Sequence, residues 1–140
     1  LGSDISLPAL AVAAENARRL GAQVRFLACD ATSAVGKGKL DLVVSNPPYV
    51  PLDQEAGLQR EIREWEPRVA LFAGASGLDM YRRLVADAER VLRPGGWLVV
   101  ELGFKTADPV RQMLSAGWAE VRIVPDLAGF ERVLAARLGR

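Results

Sequence analysis

LDLVVSNPPYV, residues 40–50, carries a run of strand formers straight into an asparagine, two prolines and a tyrosine. Proline after a central strand usually only ends the pairing, yet a plain stop needs neither an asparagine first nor an aromatic last. Both prolines fix φ and lack an N–H, and Pro47 pushes Asn46 towards extended backbone. The segment is therefore a stiff arch whose carbonyls are free to accept hydrogen bonds. The Asn46 side-chain oxygen and the Pro47 carbonyl can together accept both hydrogens of a planar NH₂ group, while the Tyr49 ring supplies a face for the flat group that carries it. Such a site suits an amide or an exocyclic amine. An amide nitrogen is a poor nucleophile because its lone pair is delocalised; gripping both hydrogens helps pyramidalise it and aim the lone pair at an electrophile. A sulfonium methyl group fits that role, since its transfer discharges a cation and needs no strong base.

Upstream of the arch, Ser6 can cap a helix with Pro8 in its first turn, and Leu10, Ala13, Ala17 and Leu20 recur at helical spacing before Gly21. Residues 24–28 then read as a short strand ending at Cys29-Asp30, and Gly36-Lys37-Gly38-Lys39 turns the chain into the strand 40–45. Downstream, residues 51–77 are polar and poorly periodic, longer than an ordinary connection and so expected to be functional or inserted, with helix over 58–65. Ser76-Gly77-Leu78-Asp79 resembles a capping box with Asp in place of Glu. Leu78, Tyr81, Leu84, Val85, Ala88, Val91 and Leu92 follow it as an apolar stripe. Pro94-Gly95-Gly96 reads as a turn into 97–102, an apolar run of the kind covered on both faces. A helix over 107–116 and two strands over 119–124 and 132–138 complete the pattern. Alternating strands and helices predict an α/β fold, a mostly parallel sheet with helices on both faces and ligands beyond the carboxyl ends of the strands. Asp4, Asp30 and Asn46 all fall at such ends, where one ligand can touch all three.

The bulk properties narrow the chemistry. The 140 residues are half apolar, enough for one domain, 1–140, with its own core. Eighteen basic against seventeen acidic side chains leave a net charge of +1, so no long-range field recruits nucleic acid or an anionic membrane. With a single cysteine, Cys29, and no histidine, an internal disulfide is excluded and the usual metal ligand and general base are missing. Neither a signal peptide nor a membrane-length apolar run is visible, which predicts a cytoplasmic protein.

Bland readings compete at most of these positions. An aspartate ahead of a helix, as Asp4 is ahead of Ser6, is commonly a turn or cap residue, and Asp30 can bond its own backbone. Cys29 reads as a small buried hydrophobe, and Trp65, Trp97 and Trp118 as packing residues. Glu101 reads as a strand-end charge reaching water. The Asn-Pro-Pro-Tyr arch is the one element for which function is the simpler account.

Asn46-Pro47-Pro48-Tyr49 is similar to the signature of S-adenosylmethionine-dependent amino-group methyltransferases. The surrounding text narrows this. Asp4-Ile5-Ser6, Glu66-Pro67-Arg68-Val69-Ala70-Leu71, Gly77-Leu78-Asp79-Met80-Tyr81-Arg82-Arg83-Leu84, Leu92-Arg93-Pro94-Gly95-Gly96-Trp97 and the closing Asp126-Leu127-Ala128-Gly129-Phe130-Glu131-Arg132-Val133 together resemble the HemK-type release-factor glutamine methyltransferases. The resemblance implies a Rossmann-like class I methyltransferase fold with an antiparallel C-terminal strand. It implies S-adenosyl-L-methionine as cofactor, held by Asp4 at the ribose and by Asp30, with Ala31 beside it, at the adenine amine; Asn46 would border both cofactor and acceptor. The catalytic arch Asn46, Pro47, Pro48 and Tyr49 would grip the substrate glutamine, with Glu66 lining that pocket. The substrate would be the Gly-Gly-Gln glutamine of a peptide-chain release factor, with no metal and no membrane involved.

Family members also carry an N-terminal helical domain, then a strand and a glycine-rich loop, none visible here, so the first strands of the sheet are expected to be missing and the native protein to be longer. Leu1-Gly2-Ser3 reads as the stump of that loop, and the missing strands would leave unpaired apolar edges. Three alternatives stay open. Glutamine methylation of another protein, such as a ribosomal protein, uses the same chemistry. Methylation of a nucleic-acid base predicts a basic track that the near-neutral charge argues against. A non-catalytic fragment or binding module would bind no cofactor.

Overall fold

In the computed structural model the structure describes residues 1–139. The chain divides into two compact units, Leu1–Gly36 and the remainder from Lys37 onward.

The first unit is a βαβ element. Strand β1 (Gly2–Asp4) pairs in parallel with β2 (Phe26–Ala28), Asp4 opposite Ala28. Leu1-Gly2-Ser3 is thus no remnant of a glycine loop: Gly2 and Ser3 are strand residues, and Gly2 N–H donates to the Arg25 carbonyl at 2.9 Å. Strand β2 is shorter at its start than the pattern suggests, because Val24 and Arg25 are exposed and lie outside the ladder. Between the strands runs α1 (Leu7–Arg19). Ser6 caps it by accepting from Ala9 N–H at 3.3 Å, Pro8 sits in its first turn, and Gly21, at φ +64°, takes the left-handed conformation that ends it. The helix packs on both strands, yet none of its residues is fully buried.

The second unit holds a four-stranded sheet ordered β3-β4-β6-β5, built from β3 (Leu40–Ser45), β4 (Leu92–Glu101), β5 (Trp118–Pro125) and β6 (Glu131–Leu138). Strands β3 and β4 are parallel; β6 lies antiparallel between β4 and β5. Residues 51–77 contain a 3₁₀ turn (Leu52–Gly57) and two short helices, α2 (Arg60–Trp65) and α3 (Arg68–Leu71). Helix α4 (Asp79–Val91) buries Tyr81, Leu84, Val85, Ala88 and Val91 and packs on β4, while α5 (Ala107–Gln112) packs on β6. The core lies on the sheet face that carries Leu98, Val100, Leu134 and Ala136, all at most 1 % exposed. At about 25 cal/mol per Å² the two leucines and the valine contribute roughly 1.5–3 kcal/mol each.

Four expectations change. Pro94-Gly95-Gly96 lies within β4, as a bulge where the register against β3 shifts between Leu40 and Leu42. Gly95 there adopts φ +81°. The run 97–102 is covered completely on one face only: Trp97 and Val99 are half-buried, and Leu42 and Val44, opposite them on β3, are 51 % and 66 % exposed. Ser76 forms no capping box, since α4 has Leu78 as its N-cap and no side-chain cap bond, and Asp79 instead accepts from Arg82 at 2.8 Å. Among the tryptophans only Trp118 is buried, its indole donating to Glu89 at 2.7 Å, whereas Trp65 is 82 % exposed.

The β5–β6 hairpin is organised by one carboxylate. Asp126 accepts from Ala128 N–H at 2.9 Å and Phe130 N–H at 3.0 Å through Oδ1, and from Arg132 through Oδ2. Its carboxyl is held below the usual aspartate value first by the Phe130 N–H, against some burial, and then by the Ala128 N–H and the Arg132 guanidinium.

Candidate active site

Ser45, the last residue of β3, pairs with Val100 of β4, and the arch begins with the next residue. Asn46 is exposed, Pro47 buried, and Pro48 and Tyr49 half-buried. The first proline thus anchors the arch while the asparagine is presented to solvent. Beyond it the chain is stitched down: Val50 N–H donates to the Leu71 carbonyl at 2.9 Å, Ala73 N–H to the Val50 carbonyl at 3.1 Å, and Leu52 N–H to the Gly74 carbonyl at 3.1 Å. The long connection 51–77 folds back to make these bonds, which explains why a stretch with little periodicity is ordered.

Two glycines shape the seat of Tyr49. A Cβ on Gly103 would lie 2.7 Å from Tyr49 Cδ2, so the ring packs against bare backbone. A Cβ on Gly77, which adopts φ +70°, would lie 2.4 Å from the Tyr49 carbonyl oxygen. Gly103 is fixed in turn. Its N–H donates to the Tyr81 hydroxyl at 3.0 Å, that hydroxyl donates to the Glu101 carbonyl at 2.9 Å, and the Gly103 carbonyl accepts from Thr106 Oγ1 at 2.9 Å. Tyr81 has no exposed surface, and burial pushes its phenol above the ordinary tyrosine value. Glu66 is exposed at the end of α2, where its N–H closes the helix on Ile62 at 3.1 Å.

In the first unit, Asp4 and Asp30 stand at the carboxyl ends of the adjacent parallel strands β1 and β2, linked by Cys29 N–H donating to the Asp4 carbonyl at 3.1 Å. Asp4 Oδ1 also accepts from Ser6 N–H at 2.7 Å, the turn role expected of an aspartate there, and the residue remains exposed. Ala31 is a non-glycine residue at φ +50°, a conformation rare outside glycine and asparagine. Its carbonyl accepts from Ser3 Oγ at 2.8 Å and Cys29 Sγ at 3.3 Å, which pins the strained residue beside Asp30. Cys29 is accordingly only half-buried and polar in its contact.

Gly77, Tyr81, Gly103 and Thr106 do not stand out in the sequence as site residues. Tyr81 belongs to an apolar stripe that predicts packing alone, and the two glycines sit in segments where a turn is the ordinary explanation. Among the described residues no group of three or more His, Cys, Asp or Glu could hold a metal ion, and no helix is long and apolar enough to cross a membrane.

Residues 2–62 match the family model of the methyltransferase small domain. The architecture is that of a solved methyltransferase from Pyrococcus furiosus, with a TM-score of 0.70 at 18% identity over 99% of this chain and 61% of that one. The fold is therefore a Rossmann-like methyltransferase fold. The sequence is 42% identical over 135 residues to the release factor glutamine methyltransferase of Koribacter versatilis, covering 96% of this chain and 48% of the relative. It is 43% identical over 140 residues to that of Geobacter sulfurreducens, covering 99% and 49%. Over nearly its whole length the chain is thus similar to release factor glutamine methyltransferases, and it spans about half the length of these curated relatives.

Proposed function

We propose that the protein transfers a methyl group from S-adenosyl-L-methionine to the side-chain amide nitrogen of a glutamine, that of the Gly-Gly-Gln tripeptide in a peptide-chain release factor, in the cytosol. The observation that carries the reading is the anchored arch: Asn46 exposed, Pro47 buried, and the Tyr49 ring lodged on Gly103. Relatives more than 40% identical bear the name release factor glutamine methyltransferase, which supports a protein glutamine as acceptor.

The donor set fits the cofactor. A ribose diol and an adenine amine both present hydrogen-bond donors, and the carboxylates of Asp4 and Asp30 are acceptor-only when ionised. In this reading Asp4 holds the ribose, Asp30 with Ala31 the adenine, and Asn46 borders the methyl donor. Bound S-adenosyl-L-methionine supplies an electrophilic sulfonium methyl carbon.

The chain's own residues then do the positioning. The Asn46 side-chain oxygen and the Pro47 carbonyl accept the two amide hydrogens, and the Tyr49 ring stacks on the flat amide. Pro48 stiffens the arch, and Glu66 borders the acceptor pocket. Held this way, the amide nitrogen directs its lone pair at the methyl carbon. The cofactor would supply the methyl group from its sulfonium and leave as a neutral thioether, while the amide nitrogen held by Asn46 and Pro47 would give up one proton to water. Near-attack geometry, not a strong base, lowers the barrier.

The test is to incubate the full-length protein with methyl-labelled S-adenosyl-L-methionine and a bacterial release factor, then locate the label by peptide mass spectrometry. Methylation at the Gly-Gly-Gln glutamine is expected. Label found only on ribosomal protein or on nucleic acid would overturn the reading.

A further inference from the structure

We infer that Tyr81 is a positioning residue for the acceptor arch, acting through Gly103 on the ring of Tyr49. The inference rests on the arch being the acceptor site, and the geometry supplies each link. The Tyr81 hydroxyl is the only polar atom of a side chain otherwise buried among apolar residues of α4 and β4, and it is used in both directions, as donor to Glu101 and acceptor from Gly103. Those two bonds span the residues at which β4 ends and its chain turns away. Thr106 locks the same glycine from its carbonyl side, so Gly103 is held at both backbone polar groups. Tyr49 meets this clamped glycine with its Cβ, Cγ and Cδ2 atoms, at a separation that leaves no room for a Cβ on the glycine. The position of the Tyr49 ring is therefore set by the hydroxyl of a helix residue that is itself closed to solvent.

Removing the Tyr81 hydroxyl leaves the Glu101 carbonyl and the Gly103 N–H without their partner in a dry place, and the turn relaxes to recover hydrogen bonds. Gly103 moves with it, and so does the wall against which Tyr49 rests. Misplacement of an acceptor by about 1 Å costs on the order of a hundredfold in rate. Tyr81→Phe is therefore expected to lower kcat by about tenfold to a hundredfold while leaving the affinity for S-adenosyl-L-methionine unchanged. Gly103→Ala, which pushes the ring directly, should do the same.

The deciding measurement is NMR of the tyrosine ring resonances of the full-length protein with ¹³C-labelled tyrosine, beside steady-state kinetics. A clamp acting through Gly103 predicts that the Tyr49 ring signals shift in both Tyr81→Phe and Gly103→Ala, with kcat falling and cofactor KM constant. It also predicts that Tyr81→Phe adds little further loss when Tyr49 is already leucine, because the two changes remove one and the same interaction. Unchanged Tyr49 signals in folded Tyr81→Phe overturn the inference, as do equal losses in the Tyr49 and leucine backgrounds. Shifted Tyr49 signals in a protein that never methylates glutamine would refute the acceptor reading and leave the coupling standing.

Discussion

Leu102 and Arg132 hold each other twice: Leu102 N–H donates to the Arg132 carbonyl at 2.8 Å, and the Arg132 guanidinium donates to the Leu102 carbonyl at 3.1 Å. One residue follows the carboxyl end of β4, immediately before the glycine under Tyr49; the other is the second residue of β6, which runs back beside it. The same guanidinium pairs with Asp126, so the hairpin loop is tied through one arginine to the end of β4.

That tie has a pH signature. Because the Asp126 carboxyl is held below its ordinary value, it contributes stability above the usual aspartate range, and that contribution is lost as pH falls through the depressed folded value. Asp126→Asn should remove this part of the acid dependence. Thermal melting from neutral pH to about pH 2 is expected to fall less steeply in the variant. Parallel curves would show that the hairpin bonds do not depend on the charge.

Gly77→Ala is predicted to damage both stability and turnover. The position demands φ +70°, and the added methyl carbon would lie 2.4 Å from the Tyr49 carbonyl. Strain of this kind costs about 1–3 kcal/mol before any displacement of the arch. Differential scanning calorimetry should give a melting point several degrees lower, and an unchanged one would mean that the loop moves aside freely.

Asn46→Ala and Asp30→Ala should fail in opposite ways. In the proposed role the Asn46 oxygen is one acceptor for the amide hydrogens, so its loss is expected to collapse turnover while cofactor affinity by calorimetry is largely kept. Loss of the Asp30 carboxylate should weaken cofactor binding first, by about tenfold for a hydrogen bond to a charged acceptor. Equal cofactor affinity in the Asp30 variant would remove that residue from the adenine site.

Tyr81 gives a second pH prediction, at the alkaline end. Burial raises its phenol above the ordinary value, so the folded state keeps the proton more tightly than the unfolded chain. The stability from this group is complete below the unfolded pKa and is lost as pH rises towards the folded value. Alkaline melting curves of Tyr81→Phe should be flatter than those of the parent above about pH 10.

Much of this was legible before any coordinates. Strand β3 is legible to the residue, because Leu40, Leu42, Val43 and Val44 supply strand formers and the ladder ends at Ser45, two residues before Pro47. The stripe of α4 was equally plain, and its five buried residues are all members of that stripe. What escaped reading depends on neighbours distant in sequence. A three-residue strand such as β1 has no periodicity to detect, and only its pairing with β2 defines it. Pro94-Gly95-Gly96 has the composition of a turn, and its place inside β4 follows from the register against β3. Tyr81, among leucines and valines at helical spacing, reads as one more packing residue until its hydroxyl is found 3.0 Å from Gly103.

The order β3-β4-β6-β5 also fixes a timetable. Among the described residues strand β5 has no partner in its sheet except β6, which comes after it in the chain and alone joins it to β4. The parallel pairing of β3 with β4 likewise waits for a strand that begins at Leu92, long after Ser45 has been synthesised. Non-local pairings of this kind are slow, because loop closure is entropically costly before any contact rewards it. A ribosome translating this message therefore releases the Asn-Pro-Pro-Tyr arch early but without a foundation, and the arch is seated only when the segment from Glu131 has emerged from the exit tunnel.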